Sequence, residues 1–101
     1  MFLGREHYLD NMKKRVHAIF SGRVQGVGFR FTAESEAASL GVVGWVKNLR
    51  GGDVEVVAEE TEEVLKDFIS RLESEFSGYI RNKEVTWENP TGEFKDFSIR
   101  F

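Results

Sequence analysis

Apolar positions recur along this 101-residue chain with two different periods. Over residues 16–20 they alternate. Val16, Ala18 and Phe20 face one way and His17 and Ile19 the other, which predicts a strand. Phe29, Ala33, Ala37 and Leu40 then fall at i, i+4, i+8 and i+11, the apolar stripe of a helix over residues 27–40. Gly41 stands where a left-handed cap ends it. The β-branched and aromatic run at residues 42–49 predicts a second strand, Arg50-Gly51-Gly52-Asp53 a hairpin turn, and residues 54–59 a third strand. So short a loop makes these two strands antiparallel neighbours. Thr61 is an N-cap, Glu62 and Glu63 suit the dipole of a second helix, and Val64, Leu65, Phe68, Ile69, Leu72 and Phe76 form its stripe. Ser77-Gly78 closes that helix. Residues 79–88 read as a fourth strand, Asn89-Pro90-Thr91-Gly92 as a turn, and Phe97, Ile99 and Phe101 as the apolar side of a short last strand.

The order β-α-β-β-α-β, with one short strand added, is the plan of an α+β, ferredoxin-like sandwich: an antiparallel sheet with both helices on one face. Residues 1–14 show no sustained period and are expected to be a flexible N-terminal extension. Residues 15–101 are the expected folded domain. His17 falls within a strand and reads as a sheet-face residue rather than a catalytic one.

Composition narrows the chemistry. The chain has no cysteine, which removes thiol catalysis and zinc–thiolate sites together. Its two histidines, His7 and His17, are ten positions apart, and neither a metal site nor a cofactor is expected. A net charge of −3 argues against general nucleic-acid binding, which depends on accumulated lysine and arginine. No apolar run approaches the roughly 20 residues of a membrane span, and no signal peptide is visible. A cytoplasmic protein with no membrane or nucleic-acid partner, and a monomer, is the expectation.

One stretch is organised for more than packing. Ser21-Gly22-Arg23-Val24-Gln25-Gly26-Val27-Gly28-Phe29-Arg30 places three glycines within seven residues, between the first strand and the first helix. A glycine turn that opens a helix lets backbone N–H groups converge on an anion, and the helix N-terminus adds donors without partners. Arg30, at the start of the helix, can add a bidentate fork. The residues alone leave rivals open: the turn as plain chain geometry, Arg30 as an i,i+4 ion pair with Glu34, and Asn48 as a strand-end turn residue. Two named phosphate motifs fail. Gly28 is followed by Phe29 and Arg30 where a P-loop needs Lys-Ser/Thr, and Phe31 occupies the third-glycine position of a dinucleotide fingerprint.

The segment from Gly22 to Arg30, followed after a helix by Leu40-Gly41-Val42-Val43-Gly44-Trp45-Val46-Lys47-Asn48, resembles the acylphosphatase family in both of its signature motifs. The resemblance runs from about Val16 to the C-terminus, and Phe97-Ser98-Ile99-Arg100-Phe101 is similar to a family ending. Two departures are Lys47, where many members carry arginine, and the absence of proline from residues 74–79. The resemblance implies metal-independent hydrolysis of a small-molecule acyl phosphate to a carboxylate and inorganic phosphate. It implies that Arg30 and the loop formed by Gly22, Arg23, Val24, Gln25, Gly26, Val27 and Gly28 hold the phosphate, and that Asn48 positions the attacking water. The rival classes are an RNA-recognition domain of the same strand order and a phosphate-binding module without catalysis. The first would carry basic and aromatic residues on its third strand, and residues 53–60 here are acidic and lack aromatics.

Overall fold

Alternation decides which face of each strand is dry. The computed structural model describes residues 12–101. It contains β1 (Lys13–Gly22), α1 (Phe29–Leu40), β2 (Val43–Asn48), β3 (Val54–Thr61), α2 (Glu62–Glu75), β4 (Ile80–Glu88) and β5 (Phe97–Arg100), in the expected order. On β1, Val16, Ala18 and Phe20 stand opposite Ala58, Val56 and Val54 of β3, and Val46 of β2 stands opposite Val56. These side chains are fully buried, and the core continues into Phe29, Ala33 and Ala37 of α1 and Leu65, Phe68 and Leu72 of α2. Both helices therefore cover one face of the sheet, as their apolar stripes require.

The strand order is β4-β1-β3-β2-β5. Neighbours are antiparallel except β5, which runs parallel to β2, so the sheet is mixed where the sequence suggested a wholly antiparallel one. The reason is topological. The chain leaves β4 at one edge, beside the start of β1, and crosses to the far edge at that same end of the sheet. It then enters β5 beside the start of β2, with Phe97 opposite Gly44.

Two boundaries shift. β1 extends past the apolar run to include Lys13 and Lys14, opposite Thr61 and Glu60, and Lys13 Nζ lies 2.9 Å from the Glu60 carboxylate. Ladder and charge pairing continue the strand beyond its apolar stretch, into residues assigned from sequence to the extension. The remainder of that extension, residues 1–11, lies outside the described residues. α1 begins at Phe29 rather than Val27, because Gly28 has φ 84°, a left-handed conformation that no helix interior accepts.

Glu59 is buried on the sheet face away from the helices, only 3% exposed. It accepts hydrogen bonds from the Thr91 amide (2.9 Å), the Thr91 hydroxyl (2.9 Å) and the Gly92 amide (3.0 Å), with Arg15 Nη1 at 3.5 Å. Burial disfavours its charge. The donors from Thr91 and Gly92, with Arg15, outweigh burial and hold its carboxyl below the ordinary glutamate value. This carboxylate fastens the segment that crosses from β4 to β5. Further along the segment, the Asp96 carbonyl accepts from the Gly44 amide at 2.9 Å. At the opposite end of the sheet, the ends of β1 and β2 and the start of α1 come together.

Candidate active site

β1 does not end cleanly. Its pairing with β4 shifts between Ser21 and Gly22, and Gly22 (φ 127°) lies hard against the β4 backbone. A Cβ there would meet the Tyr79 carbonyl oxygen and lie 2.8 Å from the Arg81 amide nitrogen. The next amide, Arg23 N–H, donates to that Tyr79 carbonyl at 2.8 Å. Gly22 and Arg23 thus tie the loop to β4, and the Arg23 side chain is exposed. Val24 is fully buried and anchors the loop in the core. Gln25 then reaches across. Its Nε2 donates to the Leu49 and Asp53 carbonyls, each at 2.8 Å, and so joins the loop to the hairpin between β2 and β3.

Gly28 occupies the N-cap of α1 and supplies no side-chain acceptor to the helix's first amides. The residues that carry those donors, at the positive end of the helix dipole, border a cavity of about 250 Å³ lined by Val24, Gly26, Gly28, Phe29, Arg30, Phe31 and Asn48. Asn48 arrives from the last position of β2, opposite Val54. Arg30 arrives from the first turn of α1. It has no carboxylate within ion-pair distance among the described residues, so the pairing with Glu34 does not form. Its guanidinium carbon instead lies 5.2 Å from the centre of the Phe101 ring.

Of the residues singled out from the sequence, Val24, Gly26, Gly28, Arg30 and Asn48 border one cavity. Gly22, Arg23 and Gln25 surround it as fasteners, and Val27 packs against the core. Phe31 was not singled out, although the sequence carried a signal. It is a large aromatic off the apolar stripe of α1, and it is 69% exposed. Phe101 reaches Arg30 only because β5 runs parallel to β2, with Arg100 opposite Lys47. No local pattern announces that.

Chemically, the lining offers one cationic fork, amides at a helix N-terminus and one carboxamide. It contains no carboxylate, imidazole or thiol. Such a set has the donors that an anion would need. It supplies no nucleophile and no general base of ordinary kind.

Known proteins resemble this chain over most of its length. The family model described as Acylphosphatase matches residues 16–99. The chain is 43% identical to the acylphosphatase of Caldanaerobacter subterraneus subsp. tengcongensis over 89 residues, covering 87% of this chain and 99% of that one. It is 44% identical to the acylphosphatase of Roseiflexus sp. over 86 residues, 84% of this chain and 92% of that one. Its fold superimposes on the crystal structure of acylphosphatase from Bacillus subtilis with a TM-score of 0.81 at 36% identity, covering 87% and 99% of the two chains. A fold of the right strand order and relatives matched almost end to end agree: the chain belongs to the acylphosphatase family, hydrolases that act on acid anhydrides.

Proposed function

We propose that the protein hydrolyses acyl phosphates without a metal ion, with Arg30 and the loop at residues 22–28 holding the phosphoryl group and Asn48 orienting the attacking water. The observation that carries this reading is the convergence of Arg30 and Asn48 on the cavity at the uncapped start of α1. Water adds to phosphorus, the bond from phosphorus to the acyl oxygen breaks, and a carboxylate leaves. A carboxylate is a good leaving group, so the barrier falls mainly through positioning and charge stabilisation. Arg30 and the α1 amides meet phosphoryl oxygens whose charge persists through the transition state. The Asn48 carboxamide has both a donor and an acceptor and fixes a water without acting as a base. With no base in the lining, the proton of that water passes to a phosphoryl oxygen of the substrate.

The test is hydrolysis of benzoyl phosphate in EDTA by wild type, Arg30→Ala and Asn48→Ala, each checked for folding. Turnover by wild type is expected, with a loss of at least about a hundredfold, roughly 2.7 kcal/mol of barrier, in each variant. A folded but inactive wild type whose melting temperature still rises with inorganic phosphate would reduce the cavity to a binding site. Restoration of activity only by added metal would remove the metal-independent mechanism.

A further inference from the structure

The site's phosphoryl half is polar, but its rim is not. Five large apolar side chains are exposed among the described residues, and the two most exposed, Phe31 at 69% and Phe101 at 95%, both neighbour Arg30, Phe31 in the chain and Phe101 across the fold. Phe31 lines the cavity from the first turn of α1, next to Arg30. Phe101 lies over the Arg30 guanidinium from the end of β5. Neither ring contributes to the core, which is complete without them. Scattered surface aromatics call for no explanation, but two that flank the sole cation of one cavity form a patch. We propose that Phe31 and Phe101 form an aromatic rim that receives the acyl substituent of the substrate and biases the enzyme toward acyl phosphates with a flat apolar group.

The geometry follows from the substrate's own polarity. The phosphoryl end goes to Arg30 and the α1 amides, so the acyl end must project from the cavity past residues adjoining Arg30. A phenyl ring there gains stacking and edge contacts with Phe31 that an acetyl methyl cannot reproduce. Phe101, 5.2 Å from the guanidinium carbon, offers a second ring beside Arg30 for the same substituent. Phe31 is thereby a specificity-determining residue, and its position off the apolar stripe of α1 is explained.

This inference rests on the acylphosphatase reading, and the experiment separates the two. The kcat/KM values for benzoyl phosphate and acetyl phosphate are measured in wild type, Phe31→Ala, Phe31→Tyr and Phe101→Ala. Comparing the ratio between the substrates in variant and wild type cancels their intrinsic reactivities and any uniform damage to the variant. The benzoyl-to-acetyl ratio is expected to fall at least about threefold in Phe31→Ala and in Phe101→Ala, chiefly through KM for benzoyl phosphate, and to be retained in Phe31→Tyr. A smaller fall in Phe31→Ala overturns the rim while leaving the enzyme reading intact. So does a fall that Phe31→Tyr shares. Failure of wild type to hydrolyse either substrate overturns the enzyme reading and the rim with it.

Discussion

Gln25 shows how one side chain can set the geometry of a site it does not line. Its Nε2 carries two N–H donors, and each meets a carbonyl of the hairpin, at Leu49 and at Asp53. Those carbonyls already close the hairpin, since the Leu49 amide donates to Asp53 and the Gly52 amide to Leu49. The carboxamide therefore locks the glycine loop against the end of β2, one residue from Asn48. Gln25→Ala removes two hydrogen bonds and is expected to lower stability by about 1–2 kcal/mol. It also loosens the register between Arg30 and Asn48, so kcat falls more than the inhibition constant for phosphate rises. Gln25→Glu is the discriminating variant. A carboxylate would face two carbonyl oxygens, acceptor against acceptor, and melting should show it less stable than Gln25→Ala despite its closer shape. If Glu proves the milder change, Gln25 is not a donor to the hairpin.

At the scale of elements, β1 has two tasks that meet at Gly22: its ladder with β4 must end, and the loop must leave at the correct angle. Gly22→Ala places a methyl against the β4 backbone in a conformation that L residues rarely adopt. Strain of about 1–3 kcal/mol, together with a weakened Arg23 amide bond to Tyr79, is expected to lower the melting temperature by roughly 10 °C or more. Calorimetry checks this, and an unchanged melting temperature would show that the β1 end tolerates a side chain. Element order, both helix stripes and the Thr61 cap, which accepts from the Val64 amide at 3.4 Å, were legible because periodicity and capping are local. The cavity was legible as far as Val24, Gly26, Gly28, Arg30 and Asn48, because two motifs fix those positions. The fastening roles of Gly22, Arg23 and Gln25 were not, since each depends on a partner some 24 to 59 residues away in the chain. The parallel pairing of β5, and with it the placement of Phe101, depends on where the chain crosses the sheet.

At the scale of the whole molecule, that crossing is held by one buried carboxylate. Glu59 of β3 gathers the Thr91 and Gly92 amides and the Thr91 hydroxyl, and Arg15 of β1 lies beside it. Arg15 is also 3.2 Å from the Glu88 carboxylate and 5.6 Å from the centre of the Phe94 ring, so β1, β3, β4 and the crossing segment meet at this point. The contact lies at the end of the sheet remote from the cavity, yet it secures the route by which β5 reaches β2. Because its folded pKa lies below the ordinary value of 4.5, Glu59 contributes stability that is fully present above that pH. The contribution is lost as the pH falls from there through the folded pKa, where the carboxyl takes up a proton and can no longer accept at every donor. Glu59→Gln lacks this charge at all pH values and leaves at least one donor unpaired, an expected loss of about 1–3 kcal/mol at neutral pH. The difference in melting temperature between wild type and variant should therefore be widest near neutrality. It should then narrow steadily as the pH is lowered from 4.5 through the acid range, as wild type alone loses the ionised carboxylate. A difference that stays constant across that range would mean that shape, not charge, holds the crossing, and the ionised Glu59 would lose its part in joining the two edges of the sheet.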